Sequence, residues 1–181
     1  EKKMKNMLAD YPDRKCSVYL LHGDLTPGQM TGLYRNDKIK GMINIAHGEG
    51  FGLPLFEAAR EGLPITTIGW SGQIDFLHHD GKDYFNKVDF SLAPIQPEAV
   101  WPGVLERECM WAHADQGSYK MALRKAYKNH DEMLKLAETV QGIIDSKFRD
   151  EVLYKLFVDN ILGFDSSIID AEEDDTVLEF E

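Results

Sequence analysis

Residues 42–60 read MINIAHGEGFGLPLFEAAR: an apolar run, a glycine-rich turn and an amphipathic stretch in direct succession. Met42, Ile43, Asn44, Ile45 and Ala46 have the character of a short buried strand. Over residues 54–61 the spacing predicts a helix with Leu55, Ala58 and Ala59 facing inward. Pro54 falls in its first turn, where a missing N–H removes no helical bond. A strand that passes through Gly48, Gly50 and Gly52 into a helix leaves several backbone N–H groups without intrahelical partners, all pointing one way. Those donors and the positive end of the helix dipole attract anions, phosphate above all. Glu49 and Glu57 flank the turn, and carboxylates accept hydrogen bonds from sugar hydroxyls. Phosphate donors beside hydroxyl acceptors suit a nucleotide-sugar.

Outward from this unit the chain alternates strand and helix patterns. Residues 17–21 (SVYLL) predict a strand. Thr26 then caps a helix that has Pro27 at its first position and Met30, Leu33 and Tyr34 on one face, ending near Asn36. Strands are expected at 41–46 and 64–68, the latter followed by a Gly69-Trp70-Ser71-Gly72 turn and a short helix through Leu77. An irregular strand region follows at 84–95, then one or two helices over 115–142 and an amphipathic helix over 147–162. This order implies an α/β fold: a Rossmann-like parallel sheet with helices on both faces, followed by C-terminal helices and an acidic tail. In such sheets ligands gather beyond the carboxyl ends of the strands. Three loops leave those ends, at 22–25, 47–52 and 69–73, and all three are expected to line one crevice.

The stretch HGEGFGLPLFEAAREGLPITTIGWSGQIDFL, residues 47–77, resembles the donor-site signature of retaining glycosyltransferases of the GT-B fold. The family shows an E-G-F-G-L-P-x-x-E-A run, then a glycine and a proline entering a strand, then a small-residue turn. Here the counterparts are residues 49–58, Gly62-Leu63-Pro64, residues 65–68 and Ser71-Gly72. The likeness spans about residues 18–162. It implies the C-terminal, donor-binding half of such an enzyme at residues 1–164, with residues 165–181 as an acidic tail. It also implies transfer of a sugar from a nucleoside-diphosphate sugar, with retention, to an unknown acceptor. No metal or other cofactor is expected, and an N-terminal GT-B domain is the expected partner.

By the same resemblance Glu57 would bind the ribose hydroxyls. Glu49, the expected catalytic residue, would hold the transferred sugar together with the backbone of Gly50, Phe51 and Gly52. Backbone N–H groups near Gly52 and Leu53 would take the distal phosphate, and the loop of His22 and Gly23 would lie beside the base. The family supplies an Arg and a Lys for the diphosphate from an earlier segment. Lys2, Lys3, Lys5, Arg14 and Lys15 stand near the start of this chain, but none sits in the matching motif. His47 stands where the family often has a small polar residue, and Asp75 replaces the usual Glu after the Ser71-Gly72 turn. Trp101 and the run Met110-Trp111-Ala112 correspond to an aromatic stretch of some relatives and also suit plain core packing.

Other readings stay open. Glu57 early in a helix is favoured by the dipole, by about 0.3–1 kcal/mol, without any ligand. The glycine spacing is not that of the G-x-G-x-x-G dinucleotide fingerprint, although Asp75 lies about where its acidic ribose ligand would be sought. The phosphate-loop ending with Lys and Ser/Thr is absent. A non-catalytic binding or structural module with this fold, a sugar-nucleotide epimerase and another Rossmann enzyme therefore remain as alternatives.

Composition sets the outer limits. The 181 residues, 43% of them hydrophobic, suffice for the core of one ordinary domain. No apolar run approaches the ~20 residues of a membrane span, and no secretion signal is visible. The chain starts Glu1-Lys2-Lys3 and so reads as a fragment or a processed piece. Cys16 and Cys109 lie far apart, in keeping with a reduced, cytoplasmic setting, and the histidines show no metal-ligand spacing. The net charge is −11, and eight acidic residues with no base fall between Asp165 and Glu181. Such a surface repels nucleic acid at long range, so no direct nucleic-acid binding is expected. Ile168, Ile169 and Val177 to Phe180 nevertheless give the tail some apolar surface for a partner.

Overall fold

The computed structural model describes residues 2–162, so the acidic tail lies outside the described residues. In chain order the elements are α1 (Lys2–Ala9), α2 (Pro27–Tyr34), β1 (Met42–Asn44), α3 (Leu53–Arg60), β2 (Ile65–Ile68) and α4 (Ile74–Leu77). A small antiparallel pair, β3 (His78–His79) with β4 (Lys82–Asp83), leads to β5 (Asn86–Val88). Then come β6 (Phe90–Pro94), β7 (Met110–Ala114), α5 (Gln116–Lys128), α6 (His130–Lys147) and α7 (Asp150–Leu162).

The fold is mixed α/β, built on a three-stranded parallel sheet in the order β1-β2-β5. Met42 pairs with Ile65 and Asn44 with Thr67, while Thr66 pairs with Asn86 and Ile68 with Val88. All four residues of β2 are buried, as expected of a central parallel strand. Successive side chains alternate between faces, and the two faces have different cover. Ile65 joins Leu55, Ala58 and Ala59 of α3 and Val140 and Ile144 of α6 in one core cluster. Ile68 joins Val88, Ala112 and Ala122 of α5 in a second. Asn86, also buried, donates from Nδ2 to Thr66 Oγ1 at 3.1 Å and to the Ala122 carbonyl at 2.8 Å, tying β5 and β2 to α5. Burying a side chain such as Leu55, Phe76 or Ile68 stabilises the fold by about 1.5–3 kcal/mol each.

Local chemistry accounts for the helix bounds. Thr26 and Gln29 form a reciprocal capping box at the start of α2, with the Gln29 N–H donating to Thr26 Oγ1 and the Thr26 N–H to Gln29 Oε1. Asp115 caps α5 by accepting from the Ser118 N–H at 2.6 Å. The expected irregular strand region resolves into β5 and β6, and β6 pairs antiparallel with β7, from Phe90 with Ala114 to Pro94 with Met110. The expected final helix begins at Asp150, because α6 runs on to Lys147.

Residues 17–21 differ from expectation: they form no strand. A strand exists through the ladder it joins, and no sheet among the described residues takes this segment as a neighbour. Its side chains are exposed, Tyr19 by 87%. Among the described residues no helix is long and apolar enough to cross a membrane.

Candidate functional site

The glycine turn joins the carboxyl end of β1 to α3. Gly52 is the N-cap of α3 with φ 84° and ψ 45°, a left-handed conformation that favours glycine. No side chain caps this helix; the N–H of the exposed Leu53 is left for solvent or a ligand, Pro54 has none, and Leu55 is fully buried. The loop after β2 lies against this turn, backbone to backbone. The Gly72 N–H donates to the Glu49 carbonyl at 3.0 Å. The Ser71 hydroxyl donates to the same carbonyl at 2.6 Å and accepts from the Glu49 N–H at 3.1 Å. A Cβ on Gly72 would overlap the Gly50 carbonyl and come within 2.8 Å of Phe51 Cα. Two of the three expected loops therefore form one unit.

Glu49 is half-buried, and its Oε1 accepts a 2.7 Å hydrogen bond from Asn44 Nδ2 at the end of β1. Asn44 is itself fixed, since its Oδ1 accepts from the Ala46 N–H at 2.7 Å. The carboxylate thus stands in a set place with its second oxygen available. Glu57, also half-buried, lies one turn into α3 and borders a cleft of about 330 Å³ with Leu25, Pro27, Met30, Tyr34 and Arg60. The Tyr34 hydroxyl points at Glu57 Oε2 from 3.5 Å, a long contact. Burial and then the neighbouring Glu57 carboxylate push the Tyr34 phenol above its ordinary value, so it stays a neutral donor. Glu61, which also lines the cleft, pairs with Arg35 of the α2 C-cap.

The remaining expected site residues fall as follows. Phe51 turns inward: its ring meets Phe56 at 5.2 Å, Phe76 at 5.3 Å and Phe148 at 6.2 Å, so only its backbone is offered to the turn. Gly50 is exposed, with open space where a side chain would stand. Leu53 is exposed at the helix start. His22 and Gly23 lie in the exposed loop before α2, and His22 borders a separate hollow with Met4, Val18 and Tyr19. Of that loop, Leu25 reaches the Glu57 cleft. Asp75 is exposed on α4.

One set of contacts lay beyond the sequence reading. The His47 ring stacks on Trp111 at 4.7 Å with 7° between planes and lies 4.6 Å from His113. His47 Nδ1 is 2.8 Å from the Ala112 carbonyl, an acceptor, so Nδ1 carries the proton. The Ala112 N–H in turn donates to the His47 carbonyl at 3.2 Å. Strand β7 thus grips the first residue of the turn. His47 and the aromatic run at 110–112 were each visible in sequence, but nothing local joins them.

Among the described residues, no three His, Cys, Asp or Glu side chains gather as a metal site would require. Comparison with protein-family models, with curated proteins and with solved structures returns no match.

Proposed function

We propose that this chain is the nucleoside-diphosphate-sugar-binding part of a retaining glycosyltransferase, with a Rossmann-like sheet in the manner of the C-terminal half of a GT-B enzyme. The observation that carries the reading is the pair of half-buried carboxylates, Glu49 and Glu57, on either side of an uncapped helix start at the carboxyl end of a parallel sheet. Hydroxyl acceptors flank a phosphate donor there, the two kinds of group that a nucleotide-sugar calls for.

In this reading Glu57 accepts from the ribose hydroxyls, with the neutral Tyr34 phenol beside it, and the Leu25 end of the preceding loop borders the base. The Leu53 N–H and the α3 dipole meet the diphosphate. Glu49, oriented by Asn44, holds the hydroxyls of the transferred sugar. As the anomeric bond breaks, positive charge grows on the sugar and negative charge on the leaving diphosphate. Fixed dipoles aimed at that diphosphate lower the barrier because they need no reorganisation. Among the described residues Arg60 is the one basic residue lining the Glu57 cleft, and Arg35 is paired with Glu61, which also lines it, so further cations and the acceptor site come from an N-terminal domain in this scheme.

That shortage of cations also favours a second reading, a module that binds nucleotide-sugars without catalysis. Calorimetric titration with UDP, GDP, ADP and their glucose conjugates tests both. Each shielded hydrogen bond to a charged carboxylate is worth about 1.5–3 kcal/mol. Glu57→Ala is therefore expected to weaken every nucleoside diphosphate of the bound series by roughly ten- to hundredfold. Glu49→Ala should weaken the sugar conjugates alone. Binding that ignores both substitutions would remove the assignment. Slow donor hydrolysis, lost in Glu49→Ala, would favour the enzyme over the binding module.

A further inference from the structure

Strand β7 holds the glycine turn by a route that the nucleotide-sugar scheme leaves unused. Trp111 and His113 flank Ala112, so both side chains lie on one face of the strand, and His47 contacts both rings. Between Ala46, whose N–H is bound by Asn44, and Glu49, whose backbone is bound by Ser71 and Gly72, His47 is the only residue with a side chain. The entry to the turn therefore has one anchor, and that anchor is the β6–β7 hairpin. His113 Nε2 is buried with no partner among the described residues. A phenyl ring would fill the same space without stranding a polar atom, so packing alone does not explain an imidazole there.

We propose that Trp111, through His47, is a positioning residue for Glu49, and that the β6–β7 hairpin thereby sets how strongly the site distinguishes a nucleoside-diphosphate sugar from the bare diphosphate. The proposal rests on the donor-site reading for its ligand and on geometry alone for its coupling. Glu49 reaches the sugar, while Glu57 lies on α3 beyond the turn. Loosening the His47 anchor removes one of the holds on the turn, beside those of Asn44, Ser71 and Gly72. Its loss widens the range of positions Glu49 samples and leaves the ribose contact in place. The hairpin thus acts on sugar affinity rather than on nucleotide affinity.

The test uses the full chain with Trp111→Ala and Trp111→Phe. His47→Phe, which keeps a ring against Trp111 and removes the Nδ1 bond, serves as the second variant if Trp111→Ala does not fold. Hydrogen–deuterium exchange is followed in peptides covering residues 44–53, with those covering β2 as the reference for global opening. The expected result is exchange at least tenfold faster at 44–53 in Trp111→Ala, unchanged exchange in β2, and recovery in Trp111→Phe. His47→Phe should move in the same direction by a smaller factor. Unchanged exchange at 44–53, or an equal rise in β2, overturns the coupling whatever the ligand. Titration with UDP, GDP, ADP and their glucose conjugates reads the second half. The affinity advantage of the conjugate over its own diphosphate should fall about tenfold in Trp111→Ala, while the diphosphate binds within twofold of the parent. Equal weakening of both would reduce Trp111 to a structural residue and overturn the proposal. If the parent chain binds none of these compounds, the donor-site reading and the sugar half of the proposal fall, and the exchange data still decide the coupling.

Discussion

Gly72 shows how a single residue can set the site. The Glu49 carbonyl accepts from the Gly72 N–H, and no room is left for a side chain between that residue and Gly50. Gly72→Ala must therefore push the two loops apart. Forced overpacking costs about 1–3 kcal/mol, and urea denaturation should show a loss in that range. Gly50→Ala is the contrasting case: a Cβ there meets nothing within 4 Å and φ is not positive, so stability should change by less than about 1 kcal/mol. Tyr34 gives a pH prediction. Its raised phenol value comes from burial first and the Glu57 charge second. The stability it adds is complete below the unfolded value of 10.0 and is lost as the pH rises through the higher folded value. Glu57→Gln removes the charge and keeps the burial, so the alkaline decline in urea midpoint should become shallower, and Tyr34→Phe should remove that share of it. The placement of the two glutamates about the turn was legible in sequence because both belong to one local strand–turn–helix motif. The need for Gly72 was not, because it depends on a neighbouring loop 22 residues away, the separation between Glu49 and Ser71.

Among the elements, those with their own signals were the easiest to read. The capping box of Thr26 and Gln29 and the proline at position 27 fix the start of α2 with no help from the rest of the fold. Thr26→Ala should cost about 1 kcal/mol in thermal or urea unfolding. Because Met30 and Tyr34 on this helix border the Glu57 cleft, the same change should also speed amide exchange across α2. The strands β1 and β2 were legible because both fall in short runs with β-branched residues bounded by turn residues, although only β2 is buried throughout and Ile43 of the edge strand β1 is 47% exposed. The segment 17–21 carries an equally apolar run and forms no strand, since sequence records the tendency to pair and not the presence of a neighbour. The β6–β7 pair was half visible: residues 90–94 fell in an expected strand region, while 110–114 showed only an aromatic stretch. Ala93 and Trp111, partners in the pairing register, lie 18 positions apart, and no tight-turn chemistry joins them. The anchoring of His47 by Ala112 spans 65 residues and was out of reach for the same reason.

On the scale of the whole molecule, the first stretch of the chain stands apart from the core, and truncation exploits this. Both core clusters draw their members from Met30 onward. Helix α1 buries no residue, and Arg14 spends its side chain on the nearby carbonyls of Leu8 and Tyr11. Residues 1–21 therefore contribute little to the global unfolding equilibrium. For a domain of this size 1 kcal/mol moves the melting temperature by about 2–4 °C. A chain beginning at His22 and one beginning at Asp24 should both melt within about 3 °C of the parent. The two differ in His22 and Gly23, the loop assigned beside the base, while Leu25, Thr26 and the α2 cap remain in both. If that assignment holds, nucleoside diphosphate affinity should survive the first truncation and fall in the second. Loss already in the first would shift the role to the removed basic residues Lys2, Lys3, Lys5, Arg14 and Lys15, which carry the kind of charge the cleft around Glu57 is short of. That loss would also weaken with added salt, because contacts between exposed charges are screened over about 10 Å at 0.1 M ionic strength. Affinity unchanged in both would leave α2, α3 and the glycine turn as the whole of this chain's contribution to the nucleotide.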